Sequence, residues 1–202
     1  MSRNIIAILR GITPEQAAAA AKALQSAGIN KIEVPLNSPD PFDSIAAMLT
    51  VANANTEIGA GTVLNVDQVA QLSKLGAHMV VSPNMNSDVI TATKAAGMKS
   101  YPGIFTPTEA FAALDAGADG LKLFPAELAG PAGLRAMRAV LSPSIHIYAV
   151  GGASAQNFAD WKAAGADGFG IGSSLFKPGR GTEQVAAEAQ LIVAAYDKVY
   201  TT

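Results

Sequence analysis

Lys122 stands in the run Asp119-Gly120-Leu121-Lys122-Leu123-Phe124-Pro125, with apolar residues on both sides and glycine and proline near the ends. The length and alternation predict a buried strand, with Leu121 and Leu123 on one face and Gly120, Lys122 and Phe124 on the other. A sheet covered on both faces has no wet side, so such a lysine is buried or lines a cavity. An ammonium without a partner there tends to lose its proton. The neutral amine that remains is a nucleophile able to condense with a ketone. The alternative is a lysine at a strand end whose ammonium reaches back to water. Glu33 alternates with Ile32 and Val34, which points it away from the face those two occupy. A carboxylate is rarely buried without a partner. Glu33 is therefore either a general acid/base near Lys122 or half of a structural ion pair with it.

Three further groups carry candidate chemistry. Gly151-Gly152 and Gly170-Ile171-Gly172-Ser173-Ser174 are glycine-rich segments whose backbone N–H groups could close around a phosphate, with a serine hydroxyl added. They could equally be tight turns. Arg10 has the parity of Ile6 and Ile8 and could clamp a carboxylate with two hydrogen bonds, or sit on the rim in water. Thr62, in Gly59-Ala60-Gly61-Thr62, could donate to the same carboxylate or be an ordinary strand residue.

The elements that must position these residues recur along the chain. A small or apolar residue followed by glycine appears at Ala27-Gly28, Leu75-Gly76, Ala96-Gly97, Ala116-Gly117 and Ala164-Gly165, each just before a strand-like run. Glycine past the last turn is the common helix stop, because it tolerates the left-handed conformation. The spacings are 48, 21, 20 and 48 residues, and each 48 divides into two units at Asn53-Ala54-Asn55 and Leu141-Ser142-Pro143. Predicted strands are Ile5–Leu9, Lys31–Pro35, Glu57–Gly61, Met79–Ser82, Lys99–Pro102, Gly120–Phe124, His146–Val150 and Gly168–Ile171. Predicted helices begin near Pro14, Pro41, Val66, Ser87, Pro107, Pro131, Ala155 and Thr182, with Thr13, Asp40, Ser87, Thr106 and Ser154 as candidate N-caps.

Such a series predicts a parallel (β/α)8 barrel, an α/β fold, as one domain over residues 1–202. An open doubly wound sheet is the competing architecture. Its dinucleotide fingerprint is missing after the first strand, where the chain reads Arg10-Gly11-Ile12-Thr13-Pro14. In a barrel of this kind the chemistry lies at the C-terminal ends of the strands. Those ends carry Arg10, Glu33, Thr62, Pro83, Lys122, Val150 to Gly152 and Gly172 to Ser174. His78 and His146 fall at strand starts and read as structural, and Trp161 as helix packing.

Composition narrows the classes. The 202 residues are 50% hydrophobic and 15% charged, with a net charge of -2. That balance offers no long-range attraction to nucleic acid or to an anionic membrane. Without cysteine there is no disulfide, zinc-thiolate site or thiol nucleophile, and two histidines do not suggest a histidine-rich metal site. The apolar run Ile5–Leu9 is too brief for a signal peptide or a membrane span, which gives a default expectation of a cytoplasmic protein.

The motifs Ala7-Ile8-Leu9-Arg10-Gly11, Glu33-Val34-Pro35-Leu36, Gly59-Ala60-Gly61-Thr62-Val63, Ser82-Pro83, Lys122-Leu123-Phe124-Pro125 and Val150-Gly151-Gly152 resemble, in order, those of one family. It is the class I aldolase family that cleaves 2-keto-3-deoxy-6-phosphosugar acids, the KDPG/KHG aldolases. The resemblance runs from about Ile5 to the last helix. It implies Lys122 as the Schiff-base lysine and Glu33 as the general acid/base. Arg10 and Thr62 match binders of the pyruvyl carboxylate, and Pro83 and Phe124 match walls of the pocket. Gly151, Gly152, Gly172 and Ser173 or Ser174 match the phosphate site. It further implies a homotrimer without metal or organic cofactor, acting on a small phosphorylated keto-deoxy sugar acid. The gluconate branch of the family has an arginine where this chain has Asn37, and usually a threonine where it has Val150. The galactonate branch, with Pro-Leu-Asn-Ser and an arginine ending the first strand, is the better likeness. A phosphate-binding barrel enzyme without a covalent lysine, and a barrel that only binds a sugar phosphate, are the competing readings.

Overall fold

The computed structural model describes residues 3–200. Nine parallel strands form the barrel wall: β1 (Ile5–Ile8), β2 (Lys31–Pro35), β3 (Glu57–Gly61), β4 (Met79–Val81), β5 (Lys99–Tyr101), β6 (Gly103–Ile104), β7 (Leu121–Leu123), β8 (Ile147–Val150) and β9 (Gly168–Ile171). Around them lie α1 (Pro14–Ala27), α2 (Pro41–Leu49), α3 (Val66–Leu75), α4 (Ser87–Ala95), α5 (Pro107–Asp115), α6 (Ala126–Arg138), α7 (Phe158–Ala163) and α8 (Thr182–Tyr200). The strand order is β5-β4-β3-β2-β1-β9-β8-β7-β6.

The additional strand, β6, lies just beyond the predicted fifth strand, Lys99–Pro102, which itself ends at Tyr101. Pro102 has no N–H to give, so the regular ladder is interrupted there. Backbone bonds nevertheless cross on both sides of that arm. Ser82 N–H donates to the Tyr101 carbonyl at 3.2 Å, Lys122 N–H to the Pro102 carbonyl at 2.9 Å, and Phe124 N–H to the Ile104 carbonyl at 3.1 Å. β5 and β6 therefore join β4 to β7 and close the barrel, giving the predicted (β/α)8 architecture.

Strand alternation sorts residues into two cores. Ile5, Ala7, Leu9, Ile32 and Val34 face the helices and belong to the large outer core. Ile6, Ile8, Met79, Val81, Tyr101, Tyr148 and Val150 fill the barrel interior, with Phe124 packed against them. Lys31 and Glu33 share the inward parity of β2. Gly28 closes α1 as expected, with φ 92 and its N–H returned to the carbonyls of Leu24 and Gln25.

Helix starts differ in detail from those predicted. Thr106 forms a full capping box with Glu109 at the head of α5. At α4 the cap is Asn86, not Ser87, because the asparagine oxygen reaches the N–H groups of Asp88 and Val89. Thr13 and Asp40 hold the N-cap positions of α1 and α2 without a side-chain bond; proline follows each. Ser154 does not cap α7. Its own N–H donates to Asn157 Oδ1 at 2.9 Å, and the helix begins at Phe158 rather than near Ala155. Helix α6 starts at Ala126 and breaks at Gly130 (φ 64, ψ 170), so Pro131 opens only its second part. His78 is structural: its Nδ1 accepts from Ile58 N–H at 3.0 Å. Trp161 is buried in the outer core.

Candidate active site

β2 and β7 deliver Glu33 and Lys122 to the inside of the barrel, where they are 2% and 7% exposed. Each lies between two outward-facing apolar residues that anchor the strand in the outer core, Ile32 and Val34 for the glutamate and Leu121 and Leu123 for the lysine. The floor beneath them is Tyr101 and Tyr148, packed edge to face with ring centroids 5.5 Å apart. Tyr148 is tied further down, where its hydroxyl donates to Asn4 Oδ1 at 3.2 Å. Lys31 Nζ donates to the same oxygen at 3.1 Å. The interior lysine at the bottom thus has a partner.

Lys122 does not: among the described residues no hydrogen bond or ion pair involves its amine. The Nζ atom lies 4.7 Å from the centroid of the Phe124 ring. Glu33 Oε2 is buried without a hydrogen-bond partner. No ion pair joins Glu33 to Lys122 among the described residues, which removes the structural ion pair as the reason for their burial. Burial drives the Glu33 carboxyl up to about 7, while the charges of Lys122 and Arg10 pull the other way. Burial pushes the Lys122 amine down from its ordinary range, Glu33 opposes this, and Arg10 adds to it. The lysine is thereby biased towards the free amine and the glutamate towards a proton it can give and take near neutrality.

One residue essential to this geometry has no chemistry of its own. A Cβ at Gly61 would stand 2.0 Å from Glu33 Oε2. The missing side chain on β3 is the space the carboxylate occupies. Gly170 plays a similar part on β9, since a Cβ there would come within 2.7 Å of Val150 Cγ2.

Above the pair opens a cleft of about 370 Å³. It is lined by Arg10, Glu33, Lys122, Phe124, Val150, Gly151, Gly152, Gly170, Gly172, Ser173 and Ser174, all within segments singled out from the sequence, and by Ile8, Ala153, Phe176, Lys177 and Pro178, which were not. Thr62 and Pro83 follow β3 and β4 but do not line the cleft. Thr62 sits in the left-handed region at φ 56. The Pro83 carbonyl lies so close to Gly103 that a Cβ there would be 2.2 Å away. Gly151 and Gly152 adopt φ 93 and φ 75, and the Gly151 carbonyl accepts from Glu127 N–H at 3.1 Å, which seats this loop on the start of α6. After β9, Gly172 O accepts from the N–H groups of Leu175 and Phe176, both at 2.9 Å. Arg180 Nη1 holds the carbonyls of Ser174 and Leu175 at 2.8 and 2.7 Å. Both glycine loops thus present bare backbone to one side of the cleft.

A larger depression of about 910 Å³ lies at the opposite end of the barrel, lined by residues such as Asn30, Asn53, Asn55, Glu57 and His78. It is an open polar bowl with no unpaired lysine and no glycine loops. The chemistry belongs to the smaller cleft.

A closed barrel with an unpaired interior lysine, a glutamate poised near neutrality and two glycine-rich loops lining the cleft at the strand ends suits an enzyme that handles carbonyl compounds by covalent catalysis. Comparison with protein families matches residues 1–188 to "KDPG and KHG aldolase", and the chain belongs to that family. The probable 2-dehydro-3-deoxy-6-phosphogalactonate aldolase of Rhizobium meliloti is 52% identical over 200 residues, covering 99% of this chain and 94% of the relative. The 2-dehydro-3-deoxy-6-phosphogalactonate aldolase of Escherichia coli K12 is 45% identical over 192 residues, covering 95% and 94%. A solved structure described as native KDPGal superposes with a TM-score of 0.97 at 42% identity, covering 100% of this chain and 98% of the other.

Proposed function

We propose that the chain is a class I aldolase that cleaves 2-dehydro-3-deoxy-6-phospho-D-galactonate into pyruvate and D-glyceraldehyde 3-phosphate. The observation that carries the reading is the pairing of an unpartnered, proton-poor Lys122 with a buried Glu33 at the floor of the cleft. The names of the two relatives supply the substrate.

The neutral Lys122 amine adds to the C2 ketone, and the carbinolamine takes a proton from Glu33 as it loses water, leaving a cationic imine and a Glu33 carboxylate. Glu33, through a water, takes the proton of the C4 hydroxyl. The C3–C4 bond then breaks, its electron pair enters the imine cation to give an enamine, and the aldehyde phosphate leaves. Glu33 returns the proton to C3, and water hydrolyses the resulting cationic imine to release pyruvate and restore the neutral amine, its extra proton going back to Glu33. Arg10 at one end of the cleft suits the substrate carboxylate. Gly151, Gly152, Gly172 and Ser173 or Ser174 at the other suit the phosphate. Fixing both ends holds the reacting bond over Lys122 and Glu33. Phe124 and Val150 wall the space between. The family resemblance adds Thr62 as a second carboxylate donor and Pro83 as a further wall, although neither lines the cleft.

Borohydride reduction in the presence of pyruvate, followed by peptide mass measurement, tests the mechanism. The expected product is a pyruvyl adduct on Lys122; an unmodified chain at saturating pyruvate, or an adduct elsewhere, sinks it. The same reading takes the working form to be a cytoplasmic homotrimer. Among the described residues no helix is long and apolar enough to cross a membrane.

A further inference from the structure

The turn that carries Arg10 is held from the side by the two residues that begin the loop after β2. Arg10 Nη1 donates to Asn37 Oδ1. One residue further along both loops, Gly11 N–H donates to Ser38 Oγ at 2.9 Å. Ser38 is only 8% exposed, and its own N–H donates to the Pro35 carbonyl at 2.9 Å, so its hydroxyl hangs from a turn continuous with β2. Pro178 closes the third side. Gly11 has φ 83, and a Cβ there would stand 2.7 Å from Pro178 Cγ.

We propose that Asn37 and Ser38 are positioning residues for Arg10, together setting its guanidinium over the carboxylate end of the cleft; this rests on the assignment of Arg10 to the substrate carboxylate above. Arg10 is exposed, and no ion pair fixes it among the described residues. A long side chain of that kind samples many rotamers and must give up that freedom when a carboxylate binds. One hydrogen bond to Asn37 removes part of the freedom beforehand and leaves the other N–H donors of the fork for the substrate. The acceptor is an uncharged amide, so the guanidinium keeps its full charge for an incoming anion. An aspartate there would hold the arginine equally well and cancel its charge. Ser38 acts one step earlier, on the backbone from which the arginine extends. It anchors Gly11 at the place where a side chain would strike Pro178.

The test uses the intact protein and its variants Arg10→Ala, Asn37→Ala, Ser38→Ala and the Arg10→Ala/Asn37→Ala double, trapped on Lys122 with borohydride at graded pyruvate. Asn37→Ala should raise the half-saturating pyruvate roughly 3- to 10-fold, the loss of one hydrogen bond, with the maximal trapping rate unchanged. Ser38→Ala should move it in the same direction. Acetone, a ketone with no carboxylate, should be trapped by Asn37→Ala and Ser38→Ala as well as by the intact protein. In the Arg10→Ala background, Asn37→Ala should add nothing. An unchanged pyruvate requirement in Asn37→Ala, or independent and additive losses in the double variant, would overturn the inference while leaving the aldolase reading in place. A wild-type chain that forms no pyruvyl adduct at all overturns both.

Discussion

Glu33 is costly where it stands. Its carboxyl titrates at about 7 against an ordinary value of 4.5, because burial penalises the charged form. Between those values the folded chain holds a proton that the unfolded chain releases, so this group's contribution to stability falls as the pH rises through the window. Glu33→Gln removes that penalty. The variant should be more stable than wild type at pH 8 by about 3 kcal/mol, with the gap closing towards pH 4.5. Its turnover should fall roughly 10²- to 10⁴-fold while the pyruvate imine still forms. A variant with full kcat would make Glu33 structural. Lys122 has the opposite sign. Its amine is pushed down, so its contribution to stability is lost below the lowered value and recovered as the pH rises towards 10.5. Substrate choice also belongs to single residues. Val150 is 5% exposed and lines the cleft beside Gly151, where it offers the substrate a methyl surface and no hydrogen bond. An apolar wall discriminates weakly between epimers that differ in one hydroxyl. Val150→Thr should therefore raise the gluconate-to-galactonate ratio of kcat/KM by about 1 kcal/mol equivalent. A wild-type preference for the gluconate epimer, or a ratio that Val150→Thr leaves unmoved, would end the galactonate assignment.

Strands set the geometry, and here the most exacting requirement is an absence. Gly61 on β3 makes room for a carboxylate carried by β2, its neighbour in register at Pro35. Gly61→Ala would put a methyl group 2.3 Å from Glu33 Cδ. The carboxylate must move, since the backbone on both strands is fixed by the ladder. The expected result is a fold intact by circular dichroism with turnover down at least about 10-fold, a displacement effect; an unchanged rate would show that the carboxylate has other room. This relation was not legible in the sequence. Glu33 was, because its parity between Ile32 and Val34 is a local pattern, and so was Lys122. The clearance at Gly61 joins residues on two strands and leaves no periodic trace. The same divide explains the fifth arm. The predicted strand Lys99–Pro102 overran β5 by one residue, and Gly103–Ile104 is too short to carry an alternation and is recognisable only by its pairing with β7. In the sequence Asn37 stands out only as a replacement for an arginine, and its bond to Arg10 joins two loops far apart in the chain.

At the scale of the molecule, the eight-fold architecture could be read from the glycine stops because α1, α3, α4, α5 and α7 each end at or just before a left-handed glycine, and the two longer gaps divide evenly. Thr62 and Pro83 mark where that reading stops short: their strand-end positions were right, yet neither lines the cleft. Assembly is the other matter for the whole chain. Leu64, Val66, Phe105 and Phe111 are 48%, 45%, 41% and 47% exposed, near the starts of α3 and α5, in a chain of low charge. The proposed homotrimer would cover such residues. Light scattering at low protein concentration should return three chain masses; a monomer mass contradicts it.

The two-core division has a further consequence, for how such a protein can change over generations. Along β2, Ile32 and Val34 serve the shell of helices while Glu33 between them serves the reaction. The same alternation runs through β1, where Ala7 looks outward and Ile6 and Ile8 look inward. Neighbours in sequence therefore answer to separate selective demands. Inward positions can drift towards a new substrate while outward positions continue to hold the wall, and losses of stability at outward positions can be repaired without touching the chemistry. A barrel of this kind is, in effect, two proteins interleaved on one set of strands, able to evolve at different rates.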